Sequence, residues 1–402
     1  MEKFLHLLCL PFILSSLEST QAQLLAAAKG VQALYVFGDS IVDSGNSLNT
    51  LVNATYLPYG CDFPSPASGR FTNGKTIADI LSLCLNVSVL SIPLWASEKD
   101  KRGTTIAGFN YASATAGLLP ETGRTFGANV VGMKEQIDLF NETVENYLPR
   151  QINNAEVLSK YLSKSIFVIS IGSNDYLYNY LQPQYYTTSR QYDMDEFGDL
   201  LMLELEKHLK ALYSLGARKM VFFELGPIGC YPLVVKRGEQ NGKCLQQLNT
   251  MLAVFNAKLY YMLTDIASSL EGTTFIVAQT FKLIYDMVEN PSKYGLNDTT
   301  NSCCAVEQKG GRLLCVPETN PCDERKSTLF WDKFHLTEAA YNIVAYKCLN
   351  ESSVCTSLET FEPEKAVSGQ PGRLSKPIFS VFNTLVLAIM ISVSYFVANF
   401  CS

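Results

Sequence analysis

Apolar residues recur along the chain in two alternating rhythms. Short runs rich in aliphatic and aromatic residues occupy Ala33–Phe37, Thr105–Tyr111, Ser165–Ile171, Lys219–Glu224 and Thr273–Ala278; runs of this length and character predict buried strands. Between them apolar residues return every three or four positions. Met133, Ile137, Phe140, Val144 and Leu148 form one such stripe, Phe197, Leu201, Leu205, Leu209 and Leu212 a second, and Leu248, Leu252, Phe255, Leu259 and Met262 a third. That spacing predicts amphipathic helices, the second ended by Gly216, with a last helix over Thr337–Lys347. Strands alternating with helices predict an α/β fold, a central parallel sheet of about five strands with helices on both faces. The stretch Leu48–Arg102 lacks either rhythm, and Pro58, Pro64, Pro66 and Thr72-Asn73-Gly74 mark it as loop-rich.

Both ends depart from this pattern. Residues 1–22 begin with Lys3, continue through the apolar run Phe4–Leu14 and reach Thr20-Gln21-Ala22, the layout of a secretory signal peptide. A membrane anchor is the weaker reading, because a spanning helix needs roughly 20 apolar residues. Residues 23–360 form the folded domain and 361–376 a polar linker. From Pro377 to Ser402 no residue is charged, so 377–402 is a hydrophobic tail long enough to cross a bilayer, either a transmembrane segment or a removable anchor signal. The small residues Ala366, Ser368 and Gly369 ahead of it, and the lack of cations behind it, favour the anchor signal.

Composition narrows the picture further. With 402 residues, 47% of them hydrophobic and 17% charged, the chain can bury a large core. A formal charge of -6 with scattered signs provides no basic face, which argues against a nucleic-acid partner. Of twelve cysteines, setting aside Cys9 and Cys401 leaves ten, a number suited to disulfides in an oxidising compartment. Cys230 with Cys244 and Cys348 with Cys355 are spaced for local loops, while Cys303, Cys304, Cys315 and Cys322 cluster with their connectivity open. Zinc is the competing reading of that cluster, disfavoured by the lack of a nearby Cys-x-x-Cys pair. Sequons at Asn53, Asn86, Asn141, Asn297 and Asn350 fit secretion and glycosylation.

The chemistry gathers at strand ends. Ala33–Phe37 runs into Gly38-Asp39-Ser40, a turn that presents a serine, and a serine nucleophile needs a base and donors for the developing oxyanion. Outside the leader only His208 and His335 are available. His208 lies in a helical stripe, an ordinary setting for a helical histidine. His335 follows Asp332 by three residues, so that carboxylate can accept the Nδ1 proton and turn Nε2 toward a hydroxyl. The small residues Ala112–Gly117 follow the second run, and Asn174-Asp175 follow the third. In a parallel sheet the C-terminal strand ends collect the site, which should bring these three stretches together. Tyr176, Tyr178, Tyr180, Tyr185 and Tyr186 either line a groove beside Asn174 or form a packing surface. Asp43 and Asn46 are read as hydrogen-bonding the serine turn.

Gly38-Asp39-Ser40-Ile41 is not the Gly-x-Ser-x-Gly elbow of α/β-hydrolases. The ordered blocks FGDSIVDSGN, NYASATAG, IGSNDY and FWDKFHLTEAA, together with GPIGCYP and the Cys303-Cys304 pair, make the chain resemble the plant-type GDSL esterase/lipase family of SGNH hydrolases over roughly Ala33–Lys347. The resemblance implies a flavodoxin-like sheet and a secreted serine esterase or lipase. Such an enzyme hydrolyses lipid, cuticular, phenolic or acetyl esters through an acyl-enzyme, without cofactor or metal. It makes Ser40 the nucleophile, His335 the base and Asp332 its orienting acid. The oxyanion would be held by the Ser40 N–H, the Asn174 side chain and the backbone N–H of a family glycine whose slot is filled by Ala114. That substitution would add a methyl group beside the oxyanion. Ile41 and Leu336 stand where leucine and proline are usual. A transacylase, or an ester- or glycan-binding protein with weakened chemistry, are the alternatives. Attachment to the outer face of the membrane would run through the tail.

Overall fold

Leu34–Gly38 (β1) is buried at every position, as its unbroken apolar sequence requires. In the computed structural model, which describes residues 30–47, 52–88, 94–96, 98–126, 130–237, 243–309 and 312–358, β1 pairs in parallel with Ile166–Ser170 (β2). The sheet continues in parallel through Lys219–Phe223 (β3) and Thr274–Ala278 (β4). The leader, the linker and the hydrophobic tail lie outside the described residues. Among the described residues no helix is long and apolar enough to cross a membrane.

Four of the five expected strands are therefore present, and the remaining run differs in kind. Residues 105–111 lie along the outer edge of β1, with Leu34 N–H bonded to Ala107 C=O at 3.0 Å and Tyr111 N–H to Val36 C=O at 2.8 Å. Gly108 interrupts the ladder there. Its φ of +99° suits glycine, and a Cβ at this position would lie 2.0 Å from the Leu34 carbonyl oxygen. The fifth strand of the sheet is instead Cys355–Ser357 (β9), antiparallel to β4.

Helices pack around this sheet. Met133–Glu142 (α2) leans on β1 and on Met194–Ser214 (α4), which packs along Gln246–Ala267 (α5). Ile77–Cys84 (α1) packs on Glu338–Asn350 (α7). Ala155–Ser163 (α3) precedes β2, and Thr280–Glu289 (α6) follows β4. Tyr35, Phe37, Phe140 and Phe167 stack into the centre of the core.

Two small sheets stand beside the main one. Asp298–Ser302 (β5) pairs with Thr328–Phe330 (β8), and Val306–Lys309 (β6) with Arg312–Cys315 (β7). Disulfides Cys303–Cys322 and Cys304–Cys315 close this region, which takes up all four clustered cysteines. Cys230–Cys244 and Cys348–Cys355 form the local loops read from their spacing. Cys61 keeps a free thiol, pushed up to about 11 by burial and the neighbouring Asp62.

Candidate active site

The serine turn is built by β1 and held from three sides. Gly38 has φ +151°, and a Cβ there would sit 2.1 Å from the Ser170 carbonyl oxygen, so only glycine lets β1 turn this close to β2. Asp39 donates its N–H to Ser170 C=O at 3.1 Å, and its Oδ1 accepts the Ile41 N–H at 3.0 Å. Asp43 accepts from Gly45, Asn46 and Ser47, and the Asn46 amide donates to Asn110 and Ala112 C=O. Both residues thus brace the turn as expected. Ser40 is left facing outward from it.

His335 arrives on the loop between β8 and α7. Its Nε2 is 2.7 Å from Ser40 Oγ, and its Nδ1 lies 2.9 and 2.8 Å from the two oxygens of Asp332. Asp332 is wholly buried and also accepts the N–H groups of Phe334 and His335, each at 2.8 Å. This Asx-type turn explains the three-residue spacing: the carboxylate folds the chain back so that the imidazole lies over it. A hydroxyl bonded to an imidazole whose far nitrogen meets a carboxylate can hand over its proton on attack. His208 is elsewhere, buried in α4 with Nε2 3.4 Å from Leu118 C=O, and burial holds it below the usual histidine range.

Ser40, Asn174 and the small-residue loop do meet. Asn174 Nδ2 donates to Ala116 C=O at 2.9 Å, leaving its second amide hydrogen for the cavity. Asp175 latches the same loop by accepting from Leu118, Leu119 and Thr122, and burial raises it to about 6.

Ala114 is where the structure differs from the expectation. Its N–H is spent on Ser47 Oγ at 2.7 Å and Asp43 Oδ2 at 3.2 Å, and its side chain is wholly buried in the cluster that includes Tyr59, Phe71 and Trp331 and does not line the cavity. The residue of this loop that lines the cavity is Thr115, in the left-handed region at φ 63°. The N–H groups of Ser40 and Thr115 have no hydrogen-bond partner among the described residues.

The cavity over Ser40 is lined by polar groups of Asp39, Ser40, Thr115, Ser173, Asn174 and His335 together with the apolar side chains of Ile41, Val52, Phe71, Leu177, Leu314 and Phe334. Of the five tyrosines, only Tyr178 lines it, edge-on to Phe334 at 6.1 Å. Tyr176 and Tyr180 are buried against Phe197, so both readings of that cluster hold in part. Asp39, beneath the cavity, is raised to about 7 by burial, against the pull of the Ile41 N–H and His335. Two contributors escaped the sequence reading: Gln136, which holds Gly38, and Tyr59, which reaches Asp332. Tyr59 sits in a proline-rich loop without periodicity; Gln136 had a faint signal as a polar residue beside the Met133–Leu148 stripe. Among the described residues no group of three or more His, Cys, Asp or Glu side chains is arranged to hold a metal ion.

A family model described as GDSL-like lipase/acylhydrolase matches residues 34–348. GDSL esterase/lipase 7 of Arabidopsis thaliana is 42% identical over 325 residues, spanning 80% of this chain and 88% of that protein. A second GDSL esterase/lipase of the same plant is 36% identical over 329 residues, spanning 80% and 87%. A third is 35% identical over 350 residues, spanning 85% and 93%.

Proposed function

The chain belongs to the GDSL-like lipase/acylhydrolase family and is a carboxylic ester hydrolase, and on that premise we propose that Ser40, His335 and Asp332 carry out the reaction. Ser40 Oγ attacks the ester carbonyl as His335 Nε2 takes its proton, and Asp332 holds the imidazole in the required tautomer. The tetrahedral oxyanion is received by the Ser40 N–H, the Asn174 side chain and the Thr115 N–H, the last in place of Ala114. Collapse expels the alcohol, protonated by His335, and leaves an acyl-serine. Water, deprotonated by the same imidazole, then releases the acid and restores the hydroxyl.

The 2.7 Å contact between Ser40 Oγ and His335 Nε2 carries this reading. Its test is labelling by a fluorophosphonate probe together with hydrolysis of p-nitrophenyl esters. Wild-type protein should label and turn over; Ser40→Ala should do neither while keeping its fold. Labelling that survives in Ser40→Ala would assign another nucleophile.

Export through residues 1–22, glycosylation at the sequons and tethering through 377–402 are part of the same proposal. The leader's composition and the disulfides among the described residues support export. Asn86, Asn297 and Asn350 are exposed, as glycan acceptors must be. Release of activity from membranes by a phosphatidylinositol-specific phospholipase supports the tether. Recovery of a 377–402 peptide from the mature membrane-bound protein overturns the removable-signal form.

A further inference from the structure

Asp332 has one partner that the reaction above does not use. The Tyr59 hydroxyl donates to Asp332 Oδ2 at 2.8 Å and accepts the Cys315 N–H at 3.2 Å. Both side chains are fully buried, and Tyr59 comes from the proline-rich loop, 273 residues away in sequence. The same tyrosine ring meets Phe71 edge-on at 5.8 Å, and Phe71 lies against the His335 ring at 5.1 Å. Burial, with the Asp332 charge beside it, holds the phenol well above its ordinary range, so it stays a protonated donor.

We propose that Tyr59 is a positioning residue for ester hydrolysis: its hydroxyl fixes the orientation of the Asp332 carboxylate and moderates the negative charge that carboxylate presents to His335. The inference rests on the reading of Asp332 as the acid that orients the base. A carboxylate flanked by backbone N–H groups on Oδ1 alone could rock about its Cβ–Cγ bond. The phenol occupies Oδ2 and closes that freedom, while the Cys315 N–H, anchored by the Cys304–Cys315 disulfide, locks the phenol in turn. The other groups facing this cluster are Asp39 from the serine turn, Tyr341 from α7 and Tyr56 from the same loop.

Removing the donor leaves more charge on Asp332, which stabilises the imidazolium. Because the carboxylate also loses its fixed orientation under His335, Tyr59→Phe should nonetheless lower kcat by the order of tenfold with KM little changed, as for one hydrogen bond to a charged group. It should also move the acid limb of kcat/KM to higher pH. Tyr56→Phe is the control, because Tyr56 donates to Cys315 C=O at 3.0 Å; it should leave the acid limb in place. In an Asp332→Asn background Tyr59→Phe should cost nothing further. An unmoved acid limb, or equal effects of Tyr56→Phe and Tyr59→Phe, overturns the proposal. Should Tyr59→Phe fail to fold, 3-fluorotyrosine at position 59, a stronger donor, must move the limb to lower pH, and an unmoved limb again overturns it. Full activity in Asp332→Asn alone would instead overturn the reading on which it rests.

Discussion

Gln136 clasps both backbone groups of Gly38: its Oε1 accepts the Gly38 N–H at 2.8 Å, and its Nε2 donates to the Gly38 carbonyl at 2.8 Å. A side-chain amide thus stands in for a strand partner where β1 turns away toward Ser40. Gln136→Ala strips the Gly38 N–H of its acceptor in a buried site, whereas the carbonyl keeps the Ser113 N–H at 3.1 Å. One orphaned buried donor costs about 1–3 kcal/mol, to be read as a lowered midpoint in chemical denaturation. Because the displaced turn carries Ser40, kcat should fall as well. A variant of unchanged stability would show that water replaces the amide without loss.

Asn174→Ala removes the side chain proposed to donate to the oxyanion while Ser40 and His335 keep their contact. We expect kcat to drop roughly 10²- to 10³-fold with KM nearly constant. A change confined to KM would make Asn174 a ground-state contact.

Ala114→Gly separates the two assignments of the third donor. Were Ala114 the donor, removing its methyl would relieve the cavity and speed bulky esters. With its N–H bound by Ser47 and Asp43 and its side chain wholly buried and outside the cavity lining, glycine should bring no acceleration. Stability should fall by about 0.5–1 kcal/mol from added chain entropy. Faster hydrolysis of bulky esters in the variant would return the role to position 114.

These cases mark what could be read from residues alone. Ser40, Asn174 and the small-residue loop were legible because each follows a buried apolar run, and parallel strands bring such ends together. Asp332 and His335 were legible because one turn of chain contains their whole geometry. The proposed Thr115 donor was not, since the choice between neighbouring amides depends on the left-handed backbone at Thr115. β9 was not, because three residues give no rhythm to count. Gln136 and Tyr59 act through tertiary contacts spanning 98 and 273 residues, for which local pattern holds no signal.

Buried carboxyls make stability depend on pH in a stated direction. Burial raises Asp39 to about 7 and Asp175 to about 6 from ordinary values near 3.8. The unfolded chain ionises first as pH rises, so their contribution is fully present below about pH 4 and is lost as pH climbs through 6 to 7. Tm should therefore rise on going from pH 7.5 to 5.5. Asp39→Asn, which retains an acceptor for the Ile41 N–H, should flatten that slope. A Tm that falls over this interval would mean that Asp39 and Asp175 are ionised throughout it.

The walls of the cavity bear on which acyl groups suit it. Beside the polar groups of Ser40, Thr115 and Asn174, the lining carries the hydrocarbon of Ile41, Val52, Leu177, Leu314 and Phe334. An acyl chain laid against those walls gains about 0.8 kcal/mol per buried methylene, about fourfold in kcat/KM for each added carbon. The gain ends once the chain outgrows the cavity. Phe334, packed edge-on to Tyr178, narrows that space, so Phe334→Ala should move the break toward longer p-nitrophenyl esters. Acetyl esters should change least, because they do not reach Phe334. If kcat/KM instead declines from acetyl upward in both proteins, the apolar walls do not hold the acyl chain, and they contact the alcohol portion of the ester.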